Sequence, residues 1–303
     1  MRLIFCADYW DKLSVDSAYK VEVNTGEKLH LSYSLINFEA LAKQNTSRAV
    51  RKVEPASTEE LAIYRGWMLR PQIYQRLYTA LAEKGLLLIN TPAAYTHCHY
   101  LPESYHLIAG FTPRSSWLRT GSTVSIDDVM ATLQPFGDRP VIVKDFVKSR
   151  KHEWHEACYI PSASDRQAVE RVVTRFLQLQ GEDLSEGLVF REFVEFEPLT
   201  EHSKSSMPLT KEFRLFVLDG RIILSAPYWE EGSYGVDEKD FPPANIFSSI
   251  ASTIQSRFFT MDVARKRDGI WNIVELGDGQ VAGLPIRANG EVLYQALADL
   301  SSS

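Results

Sequence analysis

An α+β fold is predicted for this chain, and three observations predict it. A helical pattern runs straight into a short apolar strand in the first third. A second strand-and-helix unit follows in the middle. From Leu188 onward the chain reads almost continuously as strands punctuated by Asp-Gly turns. With 303 residues, 45% of them hydrophobic, there is material for two or three packed subdomains.

The first unit is an amphipathic helix from Met68 to Lys84. Ile73, Leu77, Ala80 and Leu81 recur at helical spacing, Pro71 is tolerated in the first turn, and Gly85 stops it. Directly after it, Leu86 to Asn90 is a short continuous apolar run, the pattern of a strand buried on both faces of a parallel sheet. The second unit is a strand from Pro140 to Val147, then a helix from about Asp165 to Gln180. Ser164 or Asp165 caps that helix, Val169, Val172, Val173 and Phe176 form its buried stripe, and Gly181 ends it. The strand-rich part runs through LVFREFV, EFRLFVLDGRIILSAPYW and FFTMDVARKRDGIWNIVEL, and a helix over Glu291 to Leu300 closes the chain. Two polar loops, Thr200 to Lys211 and Glu230 to Pro243, are long enough to act as lids or specificity loops.

Charge and cysteine usage narrow the function classes. The net charge of -6 provides no overall positive field for nucleic acid, so an anionic ligand needs a local basic site. The apolar run before Asp8 and Asp11 is too short for a signal peptide and no segment approaches a membrane span, so a cytoplasmic protein is expected. Cys6, Cys98 and Cys158 are odd in number and far apart, which fits reduced, buried thiols.

Two hairpins bring chemistry together. Asp219-Gly220 and Asp268-Gly269 each sit between alternating apolar runs, the signature of a two-residue type I′ turn. Counting back from the second turn puts Asp262 directly opposite Glu275, two like charges that need compensation. A hard divalent cation would compensate them, because magnesium takes carboxylates together with substrate phosphates; Arg or Lys neighbours are the other solution. Counting from the first turn sets Arg214 opposite Ser225 and puts Glu212, Arg214 and Phe216 on one face. Arg214 then either makes an ordinary ion pair or grips a phosphate bidentately. Lys144, Lys148 and Lys151 bracket one strand end, a phosphate cluster or a solvated set of amines.

Other signals are weaker. HEWHE, His152 to Glu156, spaces its histidines three apart, one short of a zinc-protease helix, and GDGQVAG lacks dinucleotide-fingerprint spacing. His97, Cys98 and His99 alternate across an expected loop, which makes His99 a structural or acceptor-contacting residue before a metal ligand. Tyr64, Trp67 and Trp271 read as core, and Arg65 beside Trp67 as a candidate acceptor contact.

The chain resembles the R2K clade of ATP-grasp proteins (a family-3-like member) and is similar, more distantly, to the D123 cell-division-cycle family. The resemblance rests on YRGWMLRP (Tyr64 to Pro71), LLINTP with HCHYLP (Leu87 to Pro102), VIVKDFVKSRKHEW (Val141 to Trp154), FREFVEFEP (Phe190 to Pro198), KEFRLFVLDGRI (Lys211 to Ile222) and DVARKRDGIWNIVELGDGQVAGLP (Asp262 to Pro285), all in family order. It implies an ATP-grasp fold with an N-terminal α/β domain over 1–110, a small ATP-grasp subdomain over 111–185 and a C-terminal subdomain over 186–303. It implies ATP and Mg2+ as cofactors. Lys144 is then the strand lysine on the phosphates, Lys148 the second lysine with Lys151 its rival, and Arg214 the phosphate arginine with Arg191 as alternative. Glu192, Phe193 and Val194 would form an adenine-reading hinge, Glu195 or Glu197 would contact ribose, and Asp262 and Glu275 would hold magnesium. The family's carboxylate-x-Asn is here Glu275-Leu276-Gly277-Asp278, so Asp278 is the candidate to complete the metal shell. A glycine-rich flap is missing after Lys144, and KSRKHEW is expected to cover the phosphates instead. The activity implied is a carboxylate–amine ligase acting through an acyl phosphate on an unidentified small acid, peptide or protein. A nucleotide-bound assembly factor and a phosphotransferase are the alternatives.

Overall fold

The computed structural model describes residues 1–120, 124–201, 208–235 and 237–300. Strands β1 (Arg2–Cys6), β2 (Ser32–Ile36), β3 (Glu60–Arg65) and β4 (Leu86–Leu88) form a parallel sheet in the order β2-β1-β3-β4. Helices α1 (Lys20–Lys28), α2 (Phe38–Ala42), α3 (Thr46–Ala49) and α4 (Pro71–Ala82) accompany it. The predicted helix and its following strand are α4 and β4. Pro71 opens the helix, and Gly85, at φ +76°, turns the chain into the strand. Leu86 and Leu88 are buried but Leu87 is only partly so, because β4 edges this sheet.

The expected His97–His99 loop is helical instead. Thr91 accepts the Ala94 N–H and Pro92 occupies the first turn of α5 (Pro92–His99), followed by α6 (Leu101–Ile108). At helical spacing, His97 and His99 point to different sides, and His99 stacks on Tyr95 one turn back, ring centroids 4.9 Å apart.

A second, antiparallel sheet has the order β5-β8-β6-β7 and comprises β5 (Ser115–Arg119), β6 (Val141–Asp145), β7 (Tyr159–Ile160) and β8 (Gly187–Glu192). It carries α7 (Ile126–Leu133), α8 (Trp154–Ala157) and α9 (Arg166–Gln180). Asp165 caps α9 by accepting from Gln167 N and Ala168 N, and its predicted apolar stripe is fully buried against the sheet. The division expected at 185/186 separates β8 from this sheet, yet β8 lies between β5 and β6, where its backbone groups find both partners.

The loop expected over Thr200 to Lys211 begins and ends as a two-stranded ladder, β9 (Pro198–Glu201) with β10 (Pro208–Thr210), and its centre lies outside the described residues. In the loop Glu230 to Pro243, Val236 also lies outside them. The last sheet, β12-β11-β13-β14, is built from β11 (Glu212–Leu218), β12 (Arg221–Pro227), β13 (Phe258–Arg265) and β14 (Trp271–Asp278), with α10 (Ala244–Ala251) and α11 (Gly290–Asp299). One face packs on α5 and α6; the other carries Phe216, Leu218 and Phe258 into a shared core with Leu3, Phe5 and Ile63 of the parallel sheet. Cys6, Cys98 and Cys158 are free and buried, and no described helix is long and apolar enough to cross a membrane.

Both hairpin registers deviate from simple counting. At Asp219-Gly220, φ values of +46° and +75° give the predicted turn, but a bulge at Ile223 shifts the ladder and pairs Arg214 with Ala226, not Ser225. At Asp268-Gly269 the turn is one residue longer: Lys266 N–H donates to Ile270 O, and Gly269 sits at φ +88°. That alone would slide the strands out of phase. A bulge at Val274 takes the slip back, so Asp262 faces Glu275 as counted, through two offsetting irregularities.

Arg65 belongs to this framework and not to an acceptor site. Its guanidinium is fully buried, paired with Glu22 at 2.7 and 3.0 Å, and donates to the carbonyls of Gly279 and Ala282. Burial opposes its charge, and Glu22 outweighs that and holds it above its ordinary value. Arg65→Met is expected to cost about 3–5 kcal/mol in urea denaturation by stranding the Glu22 carboxylate, while Glu22→Met with Arg65→Met recovers most of the loss.

Candidate functional site

Two cavities meet where the second and last sheets face each other. The first, about 430 Å³, is lined by Lys144, Lys148, Lys151, Arg214, Asp262 and Glu275, with Met68, His99 and Tyr228 in its walls. The second, about 350 Å³, is lined by Trp154, Phe193, Val194, Leu209, Glu212 and Trp229. Ile142, Lys151, Arg191 and Val274 border both, so the two form one cleft, charged at one end and largely apolar at the other.

Lys144, the penultimate residue of β6, donates to Glu275 at 3.0 Å. Immediately after it, Asp145 folds the chain back: its Oδ1 accepts from Val147 N at 2.7 Å and Lys148 N at 2.5 Å, and its Oδ2 from Gln180 Nε2 at 2.8 Å. This buried carboxylate, overlooked in the sequence, presents Lys148 to the same cavity as Lys144 without a glycine-rich flap. Lys151 stands exposed at the junction, where Glu212 holds its ammonium above the ordinary value. Glu212 itself is buried and bonded by Thr210 Oγ1 at 2.7 Å, and burial raises its carboxyl.

Arg214 grips Asp262 with two bonds of 2.8 Å, donates to Gly283 O and lies over the Tyr228 ring, 4.6 Å from its centroid. Burial opposes the guanidinium charge; Asp262 more than restores it. Burial likewise opposes the Glu275 charge, and Lys144 and Lys151 together bring its carboxyl below the usual range. Each acid of the facing pair thus has a cation beside it. Among the described residues no cluster of three or more His, Cys, Asp or Glu side chains is arranged to hold a metal ion. A hard cation at Asp262 and Glu275 therefore needs oxygens from phosphate and water to fill its shell, which fits magnesium's habit of binding through one or two carboxylates plus substrate phosphates.

Several predicted site residues are placed elsewhere or otherwise engaged. Asp278 borders the charged cavity, but it is fully buried, lies on the opposite face of β14 from Glu275, and has its oxygens taken by Asn90 Nδ2, Gln280 N and Gln280 Nε2. Arg191 borders both cavities, but its guanidinium is spent on Thr112 Oγ1 and the carbonyls of Ile273 and Val274. Burial lowers its pKa to about 10. Glu197 is held bidentately by Arg265 at 2.8 and 3.0 Å and borders neither cavity. Glu195 does line the apolar cavity and pairs with Arg267 at 3.1 Å. Glu192 lines it too, near Arg139, but the N–H groups of Glu192 and Phe193 already donate to Arg114 O and Pro140 O. From KSRKHEW, Lys148, Ser149, Lys151 and His152 line the charged end, while Trp154 stacks on Tyr159 and meets Phe193 edge-on, 5.8 Å between centroids, walling the apolar end. His99 is buried in the wall near Glu275 and Lys144, with both ring nitrogens lacking a partner among the described residues, and burial lowers its pKa to about 4.

Burial raises the Asp278 carboxyl from 3.8 to about 6 against the donors that favour its charge. A raised carboxylate costs nothing below its unfolded value, and the cost grows as pH climbs through the folded one. From pH 4 to pH 7 the stability difference between wild type and Asp278→Asn is therefore expected to move by roughly 2 kcal/mol against the wild type, read from denaturation midpoints across pH.

Residues 135–297, more than half of the chain, match the family model for the ATP-grasp domain of R2K clade family 3. Solved structures are similar along nearly the whole length. The ATP-grasp ligase PsnB, complexed with minimal precursor, Mg and ADP, is 14% identical with a TM-score of 0.55, covering 99% of this chain and 98% of that one. D-cycloserine synthetase DcsG is 14% identical with a TM-score of 0.62 and 99% coverage of both. D-alanyl-alanine synthetase A from Vibrio cholerae O1 biovar eltor is 11% identical with a TM-score of 0.56, covering 100% of this chain and 99% of that one. No curated protein sequence matches the chain. Two antiparallel sheets facing each other across a cleft of lysines and acids, beside a parallel α/β unit, are thus the ATP-grasp fold, and the chain belongs to family 3 of the R2K clade of ATP-grasp domains.

Proposed function

We propose that this protein is an ATP- and Mg2+-dependent ligase that joins a carboxylate to an amine through an acyl phosphate. The observation that carries the reading is the polarity of the cleft, an apolar slot at one end and lysines and arginines around a facing acid pair at the other. The slot between Phe193, Trp154 and Leu209 takes the adenine, with the Val194 backbone reading its edge and Glu195 near the ribose. Lys144, Lys148 and Arg214 take phosphate oxygens, and Asp262 and Glu275 hold Mg2+, which supplies charge neutralisation on the polyphosphate. The two ion pairs of the free site are thereby exchanged: each cation gives up a carboxylate for a phosphate, and each carboxylate gives up a cation for the metal.

In the reaction a carboxylate oxygen of the acceptor attacks the γ-phosphorus and ADP leaves. An amine nitrogen then attacks the acyl carbon, phosphate leaves and the amine proton is lost to solvent. The protein's part is positioning and charge stabilisation, with no covalent enzyme nucleophile. PsnB and the macrocyclase MdnC were solved with precursor peptides, which makes a peptide acceptor the first to test here. The free thiols and the need for ATP fit a cytoplasmic setting.

The test is release of ADP and phosphate in the presence of Mg2+ and a panel of peptides and small acids with amines, with products read by mass spectrometry. A new amide supports the ligase. A phosphorylated product in its place makes the protein a phosphotransferase, and Mg-dependent ATP binding with no turnover on any acceptor makes it a nucleotide-bound factor.

A further inference from the structure

We propose that Arg191 is a positioning residue that sets the Asp262–Glu275 carboxylate pair by pinning the bulge at Val274. The starting point is the register. Near the turn, Arg265 faces Trp271 and Val263 faces Ile273; beyond the bulge, Asp262 faces Glu275. Continued without a bulge, the first phase would put Val274 opposite Asp262 and turn Glu275 to the other face, because side chains alternate along a strand. The extra residue is what makes the acid pair.

A bulge has a cost: carbonyls swung out of the ladder need new donors when buried. Here those donors come from outside the sheet. Arg191, on β8, donates to the carbonyls of both Ile273 and Val274. Thr112 Oγ1 donates to Ile273 O at 2.8 Å and itself accepts from Arg191 at 2.6 Å, while Ile273 N–H donates to Phe111 O at 2.6 Å. The guanidinium fork matches two consecutive carbonyls in a way a single ammonium cannot. Arg191 is 6% exposed and its hydrogen bonds go to Thr112 and these two carbonyls, while its charge also favours the nearby Glu275 carboxylate. Because β8 and β14 belong to different sheets, the same contact ties the geometry of the acid pair to the seating of one sheet on the other.

The inference rests on the nucleotide reading above and is tested through binding, not turnover. ADP affinity is measured by titration calorimetry across Mg2+ concentrations for wild type, Arg191→Met, Arg191→Lys and Arg191→Met combined with deletion of Val274. Losing the outer support of a metal ligand typically weakens metal affinity about 10–100-fold, so the Mg2+ concentration that half-tightens ADP binding is expected to rise by that factor in Arg191→Met, and by less in Arg191→Lys. ADP affinity without metal stays as in wild type. Deleting Val274 removes the bulge and its carbonyl and leaves Glu275 opposite Asp262, with Thr112 still donating to Ile273 O, so the double variant regains the wild-type Mg2+ dependence, even where Arg191→Met alone does not fold. Unchanged Mg2+ dependence in a folded Arg191→Met, a loss of metal-free ADP affinity, or a double variant no better than the single one overturns the proposal. A wild-type chain that binds no ADP with or without Mg2+ overturns the nucleotide reading together with it.

Discussion

Arg214→Met is expected to destabilise the protein by about 3–5 kcal/mol and to abolish tight nucleotide binding in the same step. The stability loss comes from Asp262, which is 5% exposed and would be left with its carboxylate buried and unpaired. Replacing both partners, Arg214→Met with Asp262→Leu, is expected to return stability close to wild type, because a buried ion pair exchanged for apolar groups of similar volume is roughly neutral. Nucleotide affinity does not return in that double variant, since both the phosphate cation and a metal ligand are gone. Denaturant melts and ADP titrations on the three proteins separate the two effects. Recovery of affinity along with stability would mean that the pair is only a strut.

Lys144→Met should behave in the opposite sense, with a modest change in stability and a large one in affinity. Its partner Glu275 keeps a 44% exposed side chain, so water can solvate the carboxylate once the amine is lost. On the nucleotide, a charge-assisted hydrogen bond contributes about 1.5–3 kcal/mol, so ADP binding is expected to weaken roughly 10- to 150-fold at fixed Mg2+. Lys148→Met offers the comparison: Lys148 is exposed and makes no ion pair among the described residues, so its removal tests phosphate contact without disturbing Glu275. An affinity unchanged in both variants would place the polyphosphate elsewhere in the cleft.

Much of this site was legible in advance for reasons that are local. The spacing around Pro71 and Gly85 and around Asp165 and Gly181 encodes start and stop signals, and α4 and α9 begin and end there. Strand alternation places Glu212 and Arg214 on one face, and both now line the cleft. Where reading failed, the cause was either a partner distant in sequence or a local signal left unread. Arg65 beside Trp67 looked available until Glu22 and the carbonyls of Gly279 and Ala282 enclosed it. Asp278 looked like a third acid beside Glu275, yet alternation along β14 turns it towards Asn90. Thr91-Pro92 was a helix start hidden in plain view, and reading it would have put His97 and His99 on α5.

The acid pair shows where the division falls. Which residues could meet was already written in the chain, because the Asp-Gly turns and the two-residue period of strands decide that Asp262 and Glu275 lie near one another. Whether they meet on one face was decided only by tertiary structure: the lengthened turn shifts the ladder by one residue, and the bulge that shifts it back persists because Arg191 and Thr112, from outside the last sheet, satisfy its carbonyls. A bulge exchanges ladder hydrogen bonds for others, and those others come from residues that only folding brings near.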